Sequence, residues 1–166
     1  VLPVREGKLG LIRIFRHPLG RWSWEAIKGH VEPGENVQFA AARELLEESG
    51  FSVGADKFVD FGAVAPEGGV IEARTRLLVG VVADEALGDV NPELGHGELA
   101  FFAIDEIDDL IERCEIEDAT TIALVLKYQR LLESCGTRRN PIVEPTKFST
   151  TQGSCGVDDS VEGSVK

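Results

Sequence analysis

The sequence predicts an α/β fold, with a mixed β-sheet between helices. Three observations carry this expectation. β-rich runs alternate with segments of helical spacing, and no internal repeat is visible. The length of 166 residues is most simply one domain, and a hydrophobic content of 43% is ordinary for a globular chain with a real core.

The elements follow in order. "KLGLIRIF" (8–15) sets Leu9, Leu11 and, after Ile12, Ile14 among smaller or charged residues, and "WSWEAI" (22–27) follows a Pro-Leu-Gly turn, so both are expected as strands. Asn36 offers an N-cap oxygen, Val37–Ser49 is rich in helix-forming Ala, Leu, Glu and Arg, and Gly50 supplies a left-handed stop. Residues 58–65 and 75–82 are expected as strands, separated by a loop containing "PEGG" (66–69). "ELAFFAI" (98–104) is a fifth strand, followed by a short helix over 105–114 and a longer one from about Asp118, where Ile122, Val125, Leu126 and Leu132 recur. From Gly136 the composition turns to Ser, Thr, Gly, Pro and Asp. The expected division is a domain over 1–135 and a flexible or peripheral tail over 136–166.

Charge and cysteine content narrow the function. Seventeen Lys plus Arg against 29 Asp plus Glu give a formal net charge of -12, which argues against a nucleic-acid binder held by phosphate contacts. An acidic chain can still bind phosphates where metal ions neutralise them. No apolar run approaches the roughly 20 residues that span a bilayer, and no signal-peptide pattern opens the chain. Cys114, Cys135 and Cys155 are odd in number and lack C-x-x-C spacing, which indicates neither a disulfide framework nor a zinc site. A soluble, reducing, cytoplasmic setting is expected. The chain has no methionine, even at position 1, so further N-terminal sequence is expected to precede Val1.

The most informative stretch is 29–51, "GHVEPGENVQFAAARELLEESGF". On a helix, positions 44 and 48 lie about 40° apart and 44 and 47 about 60° apart on the other side, so Glu44, Glu47 and Glu48 share one face. Like charges at this spacing destabilise a bare helix. Mg²⁺, or Mn²⁺ in its place, would offset the repulsion, because hard cations take carboxylate and phosphate oxygens. The competing explanation is a solvated face on which Arg43 pairs with Glu47. The preceding turn of Gly29, Pro33, Gly34 and Glu35 favours the metal, since it folds back on the helix start, brings Glu35 near Arg43 and can present a backbone carbonyl.

This stretch resembles the Nudix box, with all nine fixed positions met by Gly29, Glu35, Arg43, Glu44, Leu45, Glu47, Glu48, Gly50 and Phe51. The resemblance implies a Nudix-type α/β/α sandwich and a hydrolase that cleaves a nucleoside diphosphate linked to another moiety. It makes Glu44, Glu47 and Glu48 the metal-binding and base-positioning carboxylates and the Lys28 carbonyl a further ligand. Gly29, Glu35, Arg43 and Gly50 become structural, with a Glu35–Arg43 pair bracing loop against helix. Hydrolysing a pyrophosphate requires neutralised phosphate oxygens and an activated in-line water, which bridging metals supply.

Outside the box, "APEGGVIEARTR" (65–76) and "ERCEIEDATTIALVL" (112–126) resemble the ADP-ribose and ADP-sugar pyrophosphatase branch, and the likeness extends over residues 2–132. The implied reaction is Mg²⁺-dependent cleavage of ADP-ribose or an ADP-sugar to a nucleoside monophosphate and a sugar phosphate. "KGHVEPGE" (28–35) is closer to diadenosine and diphosphoinositol polyphosphate hydrolases, which makes a nucleoside polyphosphate hydrolase the alternative. A binding module that holds a nucleotide sugar without cleaving it is the alternative from another class, disfavoured by the intact box. The N-terminal dimer-swapping region typical of ADP-ribose pyrophosphatases is not in this chain. The expected partner is a small-molecule nucleoside diphosphate derivative, with a homodimer as a second form of association and neither membrane nor nucleic acid.

Further site candidates come from other segments. A downstream catalytic carboxylate and metal ligand is expected at Glu98, before an apolar strand, with Glu93 as the rival. Trp22 and Trp24 alternate, so both face one side of a strand where an adenine could stack; core packing is the competing role. Arg16, Arg74 and Arg76 lie in or beside loops where a guanidinium could grip a phosphate, Arg74 foremost; elsewhere on a surface each would be a solubilising charge. His17, His30 and His96 show no common ligand spacing.

Overall fold

The structure, a computed structural model, describes residues 1–83 and 96–134. Glu93, Cys135, Cys155 and the 136–166 segment lie outside the described residues. The chain forms β1 (Leu2–Arg5), β2 (Lys8–Arg16), β3 (Arg21–Glu25), α1 (Val37–Ser49), a 3₁₀ turn at Ala55–Lys57, β4 (Val59–Val64), β5 (Thr75–Val81), β6 (His96–Phe102), α2 (Ile104–Glu112) and α3 (Ala119–Ser134). The sheet order is β3-β2-β1-β5-β4, with β6 also pairing β2. β1 and β5 run parallel and the other pairs antiparallel, so the sheet is mixed as expected.

Alternation along the strands sorts the core into two layers. Leu77 and Val79 of β5 join Leu9 and Leu11 of β2, Leu110 of α2 and Leu124 and Tyr128 of α3 on one face. Leu78, Ile12 and Ile14 join Ala41 and Leu45 of α1 on the other. The result is an α/β/α sandwich, with α1 on one side and α2 and α3 on the other.

β1 was not anticipated. Its connection to β2 is a two-residue turn, Glu6-Gly7, with φ of 50° and 79°, the paired positive values that the tightest hairpins need. Pro3 argues against an interior strand, yet β1 lies between β2 and β5. Gly10 makes room for its ring, since a Cβ there would stand 2.7 Å from Pro3 Cγ.

The strand expected over 22–27 stops at Glu25 because the next backbone donor leaves the sheet: Ala26 N–H donates to the Thr121 hydroxyl at 3.0 Å. α1 has the expected bounds. The Asn36 side chain accepts from Gln38 N at 2.8 Å, and Gly50 turns left-handed at φ 72° while its N–H closes on Leu46 O. α2 starts one residue earlier than expected and is held by the Glu106 carboxylate, which accepts from Ala103 N at 2.7 Å. Among the described residues, no helix is long and apolar enough to cross a membrane.

Candidate active site

The site is built where β3 ends and α1 begins. Glu48 is buried at 8% exposure, and Glu44, one turn earlier on the same face, keeps 15% of its side chain exposed. Glu47 is 56% exposed, so it stands toward solvent. The loop closes directly onto this face. A Cβ on Gly29 would lie 1.8 Å from Glu44 Cδ, so only glycine fits, and His30 N–H donates to Glu44 Oε1 at 3.2 Å. The Val1 backbone nitrogen donates to the Ile27 carbonyl at 2.5 Å, which sets the start of β1 beside this turn.

Arg43 organises the loop–helix junction. Its guanidinium donates to Glu35 at 3.3 and 3.2 Å, to Glu44 at 2.8 Å, to Glu47 at 3.3 Å and to the His30 carbonyl at 2.9 Å. Its hydrogen bonds to Glu35 above all, and then to Glu44, hold Arg43 well above the ordinary arginine value. The bond from Arg43 likewise holds the Glu35 carboxyl below its ordinary value. The i,i+4 pairing foreseen for Arg43 and Glu47 is therefore present, but one guanidinium serves three carboxylates.

Glu35, Glu44 and Glu47 share this one guanidinium, and together with Glu48 they present hard oxygen donors. Buried Glu48, Glu44 and the carbonyls of the closing turn are donors of the kind a divalent cation such as Mg²⁺ takes. Among the described residues, no three His, Cys, Asp or Glu side chains already converge on one point. Arg43 Nη1 occupies the space between two of the glutamates, donating to both Glu44 and Glu47.

A second polar cluster backs this turn. Arg16 donates to both Glu25 oxygens, at 2.8 and 2.5 Å, and Lys28 Nζ donates to Glu25 Oε2 and Asp118 Oδ1, each at 2.7 Å. Asp118 Oδ2 accepts from the Thr120 hydroxyl at 2.5 Å and from the Thr121 amide and hydroxyl at 2.7 Å. Burial pushes the Asp118 carboxyl up, but the bonds from Lys28, Thr120 and Thr121 outweigh it and bring it down to about 2. At Glu25 burial likewise raises, and the bonds from Arg16 and Lys28 win and lower it. Neither Glu25 nor Asp118 carries a site signal in the sequence beyond two weak hints: a lone acid in an aromatic strand, and an aspartate at a helix start.

A cavity of about 460 Å³ opens beside the turn, lined among others by Lys28, Gly29, Glu44, Arg74, Arg76 and Thr120. Arg76 is paired with Asp60, and Arg74 has no ion-pair partner among the described residues. Arg16, Trp22, Trp24 and Glu98 do not line this cavity. Trp24 is buried at 9% exposure against Phe102, in the core rather than within reach of a ligand. Trp22, 45% exposed, lies edge-on to Phe15 and under Arg13. Glu98 is 68% exposed and 3.9 Å from Arg13. Its strand neighbours Leu99 and Phe101 pack toward α1, so Glu98 itself stands on the opposite face of the sheet from the glutamate helix.

A family model described as NUDIX domain matches residues 1–125. The chain is 31% identical over 134 residues to an ADP-ribose pyrophosphatase of Bacillus subtilis (strain 168), covering 78% of this chain and 69% of that protein. It is 28% identical over 122 residues to an ADP-sugar pyrophosphatase of Mus musculus, covering 69% of this chain and 55% of that protein. It thus spans about two thirds of the first relative and about half of the second. A crystal structure described as an ADP compounds hydrolase superposes with a TM-score of 0.70 at 23% identity, over 81% of this chain and 71% of that one, a likeness of fold.

Proposed function

Because the chain belongs to the Nudix family of pyrophosphohydrolases, we propose that it cleaves the pyrophosphate bond of ADP-ribose or a related ADP-sugar, with Mg²⁺, to a nucleoside monophosphate and a sugar phosphate. The observation that carries this reading is that Glu44, the Lys28–Gly29 turn, Arg74 and Arg76 line one cavity. It combines carboxylate and carbonyl oxygen donors with guanidiniums suited to phosphate oxygens.

Glu44 and Glu48, with the Lys28 carbonyl, would hold the divalent cation, and Glu47 at the rim would complete or water-bridge the set. When bound, the cation supplies charge neutralisation on the phosphates and lowers the pKa of a coordinated water. Arg74, unengaged by other described residues, binds a non-bridging oxygen of the substrate. Arg76 does the same after exchanging its contact with Asp60. Arg43 and Glu35 hold the loop against α1, so that the donors keep their spacing as substrate enters. A catalytic role for Glu98 would require substrate to reach the far face of the sheet, so the carboxylates of α1 are assigned the chemistry.

The test is a panel of ADP-ribose, ADP-glucose, GDP-mannose, NADH, diadenosine tetraphosphate and dATP with Mg²⁺, products resolved by chromatography. AMP and ribose 5-phosphate from ADP-ribose are expected. Cleavage of diadenosine tetraphosphate alone would replace this substrate assignment with a polyphosphate hydrolase. Tight binding of uncut ADP-ribose would leave a binding module. Glu48→Gln should lower kcat by on the order of a hundredfold or more at unchanged fold; full activity would remove the metal assignment.

A further inference from the structure

We propose that Lys28 and Asp118 form a positioning clasp, which fixes the backbone of the turn preceding α1 by tying it to the first turn of α3. The inference rests on the reading above that the Lys28 carbonyl is a cation ligand.

The segment 26–30 is pinned along its length. Ala26 N–H is held by the hydroxyl of Thr121, which is fully buried. The Lys28 ammonium is held at 2.7 Å by Asp118, whose other oxygen gathers the Thr120 hydroxyl and the Thr121 amide and hydroxyl. These contacts close a ring: Ala26 to Thr121, Thr121 to Asp118, Asp118 to Lys28, and Lys28 back along the chain to Ala26. Beyond the ring, Gly29 abuts Glu44 with no room for a Cβ, and His30 N–H bonds to Glu44. The Lys28 carbonyl thus lies between one anchor on α3 and another on α1, helices from opposite faces of the sheet.

The same contacts commit the Lys28 charge. Its ammonium is shared between Glu25, which is 3% exposed and already gripped twice by Arg16, and Asp118. A lysine placed to hold substrate phosphate would keep its ammonium free for it; this one is held by two carboxylates. Glu25 is the hub that keeps the lysine stem in line, and Asp118 supplies the reach to the other helix.

Charge effects and positioning predict opposite signs, which makes the clasp testable. Lys28→Met removes a positive charge near the glutamates, so electrostatics alone would tighten cation binding. Loss of positioning would weaken it, by about tenfold on the scale typical of groups that orient ligands. Mn²⁺ binding without substrate, followed by electron paramagnetic resonance of the free ion, reads the difference directly. Lys28→Met and the double variant Lys28→Met/Asp118→Asn are both expected to bind Mn²⁺ about tenfold more weakly, with the KM for ADP-ribose at saturating Mg²⁺ within about twofold of wild type. Thr121→Val, which cuts the Ala26 link and changes no charge, is expected to shift binding in the same direction, and it keeps the test sharp if Lys28→Met does not fold.

Unchanged or tighter Mn²⁺ binding by the folded variants would overturn the clasp. So would a large rise in KM with Mn²⁺ affinity intact, since that would place Lys28 on the substrate. Glu48→Gln separates the two levels. If it too binds Mn²⁺ like wild type, the metal reading has failed and the clasp with it; if it loses Mn²⁺ while the clasp variants do not, only the clasp has failed.

Discussion

At the scale of single residues, Gly29 is the clearest link between sequence and chemistry. The motif marks it as fixed, and the structure supplies the reason: the Glu44 side chain fills the space a Cβ would need. Gly29→Ala should push Glu44 from the loop and lower kcat at least tenfold, because a misplacement of about 1 Å at a catalytic group costs on the order of a hundredfold. The expectation is checked by kinetics beside a thermal melt; normal kcat in the folded variant would show that Glu44 tolerates displacement. Tyr128 offers an independent test of the core. It is the only tyrosine of the chain, and burial pushes its phenol up to about 12. A folded value above the unfolded one means that the associated stability is intact below about pH 10 and is lost as pH rises toward 12. Phenolate absorbance should therefore appear late and together with unfolding. Titration near 10 with the fold intact would mean that Tyr128 is solvated. Tyr128→Phe should flatten the alkaline loss of stability.

At the scale of elements, α1 was the most legible because its signals are local. The Asn36 cap, the run of helix formers and the Gly50 stop each act within one turn, and the bounds Val37–Ser49 follow from them. Asn36→Ala should cost about 1 kcal/mol in urea unfolding, and Gly50→Ala about 1 kcal/mol, since its φ of 72° is strained for any residue with a Cβ. An effect below a few tenths in both would mean that packing alone sets the ends of the helix. β1 was illegible for the opposite reason. Its four residues contain a proline, which argues locally against an interior strand, and the compensation comes from Gly10 on the neighbouring strand. The early end of β3 was equally hidden, because Ala26 is claimed by Thr121, 95 residues later in the chain.

At the scale of the whole molecule, the same contrast divides the site. Its anionic half is one contiguous stretch and could be recognised in the sequence; its other half is assembled from β3, β5 and α3, which only the folded sheet brings together. Trp24 shows how strand parity alone misleads, and Glu98, expected from its place before an apolar strand, falls on the sheet face away from α1. Alternation gives the two sides of a strand, but which side meets the core or α1 depends on what packs there, and Trp24 meets Phe102 while Glu98 meets Arg13. The assembled core also bears on where the domain ends. Its buried members among the described residues run from Leu2 to Tyr128, and α3 ends at Ser134. The Ser-, Thr-, Gly- and Pro-rich composition from Gly136 predicts that a chain ending at residue 135 keeps the fold and the cavity. Removing 136–166 is expected to leave kcat unchanged and the thermal midpoint within about 2 °C, less than a loss of 1 kcal/mol would produce in a domain of this size. A midpoint lowered by roughly 5 °C or more, with activity falling in parallel, would show that the last segment packs on the sandwich, and the domain boundary would then move toward the C-terminus.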